Sequence, residues 1–177
     1  MKTDNSYLTE KVNLRIESLP NKKNITVLDC FAGTGLIWSE VKKKSKQDIK
    51  VVSIEHEKGK NKTALFGSNL KYLNVLNLSK FDIIDLDAYG IPYAQLNILF
   101  TRGYKGIVHV TAIQSGMGQL PNDLILKLGY TKNMIKKIKS IFNTKGDEKL
   151  KNYLYLSGVE TITGYSIDRK NYFYFKT

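Results

Sequence analysis

Short apolar runs that end at carboxylates or glycines alternate along this chain with stretches whose apolar residues recur at helical spacing. Ile25-Thr26-Val27-Leu28-Asp29 reads as a buried strand that breaks into a turn on Gly33 and Gly35. Lys50 to Ile54 reads as a second strand closing at Glu55, and Asn74-Val75-Leu76-Asn77 as a short third. Phe81 to Asp87 is a fourth, broken at Ala88-Tyr89-Gly90, and Gly106 to Thr111 a fifth, followed by a glycine-bearing loop, Gln114 to Gly118. Between them, Leu36, Ile37, Trp38 and Val41 mark a helix whose last turn holds Lys42, Lys43 and Lys44, where cations suit the helix dipole. Gly59 to Leu73 predicts a helix with Leu65, Phe66, Leu70 and Leu73 on one side. Ile91 to Phe100 predicts another, with Pro92 in its first turn, and Leu124 to Phe142 a basic one. Ser6 to Leu19 has mixed periodicity, a helix or an extended cover ended by Pro20. Tyr153 to Phe175 alternates, with breaks at Gly158 and near Asp168-Arg169-Lys170, and predicts an antiparallel pair.

Strands alternating with helices imply a doubly wound α/β sheet with helices on both faces. The expectation is a mostly parallel, seven-stranded, Rossmann-like sheet closed by a C-terminal antiparallel hairpin. The 177 residues make one domain of residues 1–177, large enough to bury a core.

Composition narrows the partners. No apolar run reaches the eighteen or so residues of a membrane helix, and the N-terminus lacks the apolar stretch of a secretory signal. The single cysteine, Cys30, suits a reducing, cytoplasmic setting and reads as a small buried hydrophobe. A net charge of +12 favours a polyanionic partner, a nucleic acid. Of the basic residues only Arg15, Arg102 and Arg169 are arginines, so an AT-rich coding sequence accounts for part of that balance.

In an open α/β sheet, ligands bind beyond the C-terminal strand ends, so the residues there carry the chemistry. Gly33-Thr34-Gly35 lacks the third glycine of a dinucleotide fingerprint and the lysine of a P-loop, which removes pyrophosphate and triphosphate readings. Asp29 stands where a carboxylate meets an amine-bearing ligand, and Glu55 follows the glycines by about 20 residues, the spacing of an acid on ribose hydroxyls. A ribose and a positive centre without a pyrophosphate describe S-adenosylmethionine. Two histidines and one cysteine far apart make no metal-ligand cluster, so no metal is expected. His109, inside a strand, reads as a core histidine, and His56 as a residue at the adenosine edge or on the surface.

ITVLDCFAGTG, residues 25–35, resembles the first motif of class I S-adenosylmethionine-dependent methyltransferases. That resemblance implies that Phe31, Gly33 and Gly35 line the methionine moiety, with Asp29 near its amino group. It places Glu55 on the ribose hydroxyls, with His56 beside it, and Asn77 next to the adenine. Asp85-Leu86-Asp87-Ala88-Tyr89-Gly90-Ile91-Pro92 is similar to the D-x-D-P-[YF]-G-S-P of tRNA guanine-N2 methyltransferases, and Gly106 to Ala112 to the strand that follows it there. Asp85 is thereby grouped with the cofactor residues. Ala88 stands where that family has proline, and the family's C-terminal RNA-binding domain has no counterpart within residues 1–177.

Transfer to an exocyclic amine needs such an acid, because the amine lone pair is delocalised into the ring and a carboxylate accepting its N–H groups localises it. Asp87 is the candidate acceptor and Tyr89 the candidate stacking surface for the base. The expectation is an N-methyltransferase acting on a nucleic-acid base, RNA ahead of DNA, with the basic helix at Lys132 to Lys139 meeting phosphates. Three alternatives stand beside it: a DNA adenine or cytosine amino-methyltransferase, a non-catalytic methyltransferase-like subunit that stabilises a partner protein or binds nucleic acid, and a small-molecule methyltransferase. A homo-oligomer is left open.

Overall fold

The computed structural model describes residues 7–113, 120–142, 144–168 and 170–177. Seven strands form one sheet: β1 (Asn24–Asp29), β2 (Asp48–Glu55), β3 (Leu65–Phe66), β4 (Ile83–Asp87), β5 (Ile107–Ile113), β6 (Ile162–Ile167) and β7 (Lys170–Lys176). Seven α-helices accompany them among the described residues: α1 (Leu8–Ser18), α2 (Leu36–Lys44), α3 (Asn69–Val75), α4 (Tyr93–Thr101), α5 (Asn122–Lys127), α6 (Lys132–Lys137) and α7 (Gly146–Leu156). The strand order is β3-β2-β1-β4-β5-β7-β6; β1 to β5 pair in parallel, and β7 runs antiparallel to both β5 and β6. The expected doubly wound sheet with its C-terminal hairpin is therefore present. The chain winds outward from β1 to β3, then returns to the other side of β1, so the order reverses between β1 and β4. A crevice opens at such a switch point beyond the strands' C-terminal ends.

Strand alternation divides the core into two layers. Ile25 and Val27 of β1, Ile83 of β4 and Ile107 of β5 pack with Val12, Trp38 and Val41 under α1 and α2. Leu28, Ile84, Leu86, Val108 and Val110 face the other way, onto Leu73, Leu96, Leu124 and Leu154. The same period turns Asp29, Asp85, Asp87, His109 and Thr111 toward the α1 side. Parallel register sets Asp29 beside Asp85, Asp85 beside His109 and Asp87 beside Thr111. Antiparallel register extends that last row to Tyr172.

Of the segment expected as a helix or an extended cover, Leu8–Ser18 is helical, with Val12 and Leu14 buried. Four assignments differ from the sequence reading. The third strand is Leu65–Phe66 and not Asn74 to Asn77, and the helix expected from Gly59 contracts to Asn69–Val75. Leu65 and Phe66 are an exposed edge pair on β2, while Val75, which resembled a strand residue, ends the helix 66% exposed. The long basic helix breaks at Gly129, whose φ of 87° is left-handed, into α5, α6 and a 3-10 turn at Lys139–Phe142. Tyr153 to Leu156 belongs to α7, where Leu150, Tyr153 and Leu154 fall on one buried helical face. The loop Gln114 to Gly118 and Arg169 lie outside the described residues.

Candidate functional site

A cavity of about 460 Å³ lies at the C-terminal ends of β1, β2, β4 and β5. Phe31 and Gly33 of the first turn line it, with Glu55 and His56 after β2 and Asp87, Ala88 and Tyr89 after β4. The first turn is tight: the Gly35 N–H donates to the Ala32 carbonyl at 2.7 Å, and Gly33 and Gly35 have φ of 53° and 78°. Only glycine adopts both at little strain, and a Cβ on Gly35 would also come within 3.2 Å of Asn61 Nδ2. Gly35 caps α2 but does not line the cavity.

The acids of the site divide by depth. Asp85 is 1% exposed and does not line the cavity. Arg15 grips it with two bonds, Nε to Oδ2 at 2.7 Å and Nη2 to Oδ1 at 2.8 Å, and Trp38 Nε1 donates to Oδ2 at 2.8 Å. Asp85, expected among the cofactor residues, has its oxygens in a buried bridge between α1, α2 and β4. Asp29 is likewise outside the cavity lining, 5% exposed, with Oδ1 accepting the Phe31 N–H at 3.3 Å. Burial and the neighbouring Asp85 push its carboxyl well above the usual carboxylate range, with Arg15 opposing them. Asn77 does not line the cavity either. Its side chain caps a 3-10 turn by accepting the Ser79 N–H. Asn69, at the start of α3, lines the cavity, donates to the Cys30 carbonyl at 3.1 Å and accepts from Gln95 at 3.0 Å.

Asp87 does face the cavity, and it does not stand alone. Lys11 Nζ donates to its Oδ2 at 2.9 Å, and the Thr111 hydroxyl donates to its Oδ1. The Lys11 side chain is 5% exposed, lines the cavity, and holds its ammonium 5.5 Å from the centre of the Tyr172 ring. Tyr89, at the mouth, is 73% exposed. Glu55 Oε1 accepts the Glu57 N–H at 2.8 Å, which fixes the end of β2. Behind this layer His109 Nε2 lies 2.6 Å from Ser18 Oγ, and burial, with Arg15 nearby, holds its pKa well below the usual imidazole value. Cys30 is buried at the cavity wall, and burial pushes its thiol up.

Of the residues expected at the site, Phe31, Gly33, Glu55, His56, Asp87 and Tyr89 meet in one cavity; Asp29, Gly35, Asn77 and Asp85 do not line it. Lys11, Asn69, Gln95, Thr111 and Tyr172 are additions. A sequence signal existed for Lys11 and Arg15: they are four apart, one helical face, as Asp85 and Asp87 are two apart, one strand face.

No protein-family model and no curated protein matches the sequence. Solved structures match the fold. A phosphoethanolamine N-methyltransferase of Haemonchus contortus, solved with S-adenosyl-L-methionine, superposes with a TM-score of 0.59 at 11% identity over 94% of this chain and 51% of that one. This chain thus spans about half of that protein's length. A S-adenosylmethionine-dependent methyltransferase from Aquifex aeolicus gives a TM-score of 0.56 at 12% identity, covering 98% of this chain and 93% of that one. The precorrin-6Y C5,15-methyltransferase of Geobacter metallireducens gives 0.52 at 10% identity, covering 94% and 86%. The fold is that of class I S-adenosylmethionine-dependent methyltransferases.

Proposed function

We propose that the cavity binds S-adenosylmethionine and that the chain transfers its methyl group to an exocyclic amine of a nucleic-acid base, RNA ahead of DNA. One observation carries the reading: the glycine turn at Phe31 and Gly33, the acid at the end of β2 and the acid–aromatic pair at the end of β4 line a single cavity. The residues fit the cofactor in kind. Glu55 offers carboxylate oxygens to a ribose diol, and the backbone at Gly33 lets a ligand approach closely. Asn69 has an amide suited to an adenine edge. Glu55, Glu57 and Asp87 surround the space with acceptors that suit a cationic centre.

When bound, S-adenosylmethionine supplies a methyl carbon activated by its sulfonium, which leaves as a thioether while the amine releases a proton. The residues of the chain supply position. Asp87 has about four lone-pair sites, so with Lys11 and Thr111 each on one oxygen it can still accept an amine N–H. Lys11 orients that carboxylate, and Tyr89 offers an exposed ring for stacking. A nucleic acid is supported by the net charge of +12 and by eight lysines against three acids between residues 122 and 156. The preference for RNA rests on the likeness of residues 85–92 to the tRNA guanine-N2 enzymes.

Calorimetric titration with S-adenosylmethionine tests the first half: wild-type protein is expected to bind, and Glu55→Ala to bind about tenfold or more weakly, a loss near 1.4 kcal/mol. No binding by the intact protein would sink the proposal. Labelled-methyl transfer to pooled RNA against duplex DNA tests the second half, with incorporation expected in RNA.

A further inference from the structure

We infer that Lys11 is a specificity-determining residue and that, with Asp87, it selects an amine next to a ring nitrogen lone pair, as in adenine or cytosine. This rests on the amine-transfer reading above and departs from the guanine preference that residues 85–92 suggest. Lys11 Nζ and Asp87 Oδ2 lie 2.9 Å apart on the wall of the same cavity, one a donor only and the other an acceptor only. A neighbouring donor and acceptor form an edge that reads a neighbouring acceptor and donor. Adenine presents that pair as N1 and the N6 amine, and cytosine as N3 and the N4 amine. Guanine presents two donors there, N1–H and the N2 amine, so an ammonium beside the carboxylate faces a hydrogen with no lone pair. Its one lone pair next to the amine, on N3, is crowded by the attached ribose.

The pair is built to hold this polarity. Among the described residues, one of the three ammonium hydrogens goes to Asp87, which leaves donors for a substrate. The Tyr172 ring under the ammonium, 5.5 Å to its centre, holds the cation in place without taking a hydrogen bond. The Thr111 hydroxyl fixes the opposite carboxylate oxygen. Lys11 itself is carried on the turn of α1 that precedes Arg15, and Arg15 is locked to Asp85 by two bonds. The ammonium therefore sits at a set depth in the cavity, where a swapped base would leave it unpaired.

Three uracil-rich single-stranded RNAs, each carrying adenine, cytosine or guanine as its one other base, separate the outcomes. After incubation with S-adenosylmethionine, digestion and mass spectrometry are expected to find methyl on adenine or cytosine and none on guanine. Lys11→Met is expected to lower kcat/KM on the preferred base about ten- to hundredfold, the loss of one good base-edge contact, and to narrow the preference between bases. Lys11→Arg keeps a donor in place and is expected to retain the base preference, which separates this role from a general effect on folding. Methyl on guanine, a base preference that survives Lys11→Met, or cofactor binding with no transfer to any of the three RNAs would overturn the inference. Absence of cofactor binding in the calorimeter instead retires the transferase proposal itself, a distinct result.

Discussion

Two ion pairs of the same kind sit side by side between α1 and β4, and they differ in almost everything but their chemistry. Arg15–Asp85, the inner pair, is 2% and 1% exposed and has every carboxylate oxygen engaged by Arg15 and Trp38. Lys11–Asp87, the outer pair, is 5% and 14% exposed and forms part of a cavity wall. The two align because four residues of helix rise about 6 Å and two residues of strand span about 6.6 Å, so an antiparallel helix and strand keep step over one turn. Depth alone assigns the roles. Where the strand is covered by α1 and α2 the carboxylate is structural; one pleat further, at the sheet's open end, it is available to a ligand.

The largest expected effect breaks the inner pair. Arg15→Met leaves Asp85 buried and uncompensated and is expected to lower the unfolding free energy by about 3–5 kcal/mol in urea titrations. Arg15→Met with Asp85→Leu is expected to recover most of that loss, because it removes the stranded charge. Lys11→Met, on the half-open outer pair, is expected to lose only about 1–3 kcal/mol. Equal losses from the two single variants would erase the distinction between the pairs.

Next come the titrations of the inner layer, which have opposite signs. His109 is held neutral, so the unfolded chain binds more protons below the ordinary value of 6.5. Its contribution is complete above that pH and is lost as the pH falls toward its depressed folded value. Asp29 holds its proton longer than the unfolded chain does. Its contribution is complete below the ordinary 3.8 and is lost as the pH rises toward its raised folded value. Each slope is at most about 1.4 kcal/mol per pH unit. Urea midpoints from about pH 4 to about pH 8 should lose the acid-side fall in His109→Gln and the alkaline-side fall in Asp29→Asn. The smallest effect on stability belongs to Tyr89→Ala at the cavity mouth, expected within about 0.5 kcal/mol of wild type. Methyl transfer to RNA should nonetheless drop in that variant, since a stacked base contributes about 1–3 kcal/mol.

What could be read from the chain follows the same division. The buried strands β1, β2, β4 and β5 are legible because unbroken apolar runs ending in an acid or a turn have few other uses. The motif at 25–35 marks its own turn because Gly33 and Gly35 both take left-handed backbone. Edge and amphipathic pieces are less legible. Leu65 and Phe66 pair on one side only and mimic a helix face, so the sequence put its third strand at Asn74 to Asn77, and Asn69, which lines the cavity, went unnoticed. Asp85 and Asp87 are chemically identical in sequence, and nothing local tells that Arg15 claims one of them. That assignment is a tertiary fact, created when α1 packs over the ends of β4 and β5.

Arg15 and Lys11 are separated from their carboxylates by 70 and 76 residues of chain. At the usual rate of about 5–20 residues per second, a ribosome delivers β4 roughly 4–14 s after α1. An isolated helix of 11 residues is marginal in water, so α1 waits for that strand with its cations solvated and Val12 and Leu14 uncovered. The cavity wall is thus a late event of synthesis. A chaperone that shields this amino-terminal segment during those seconds protects the site before it exists.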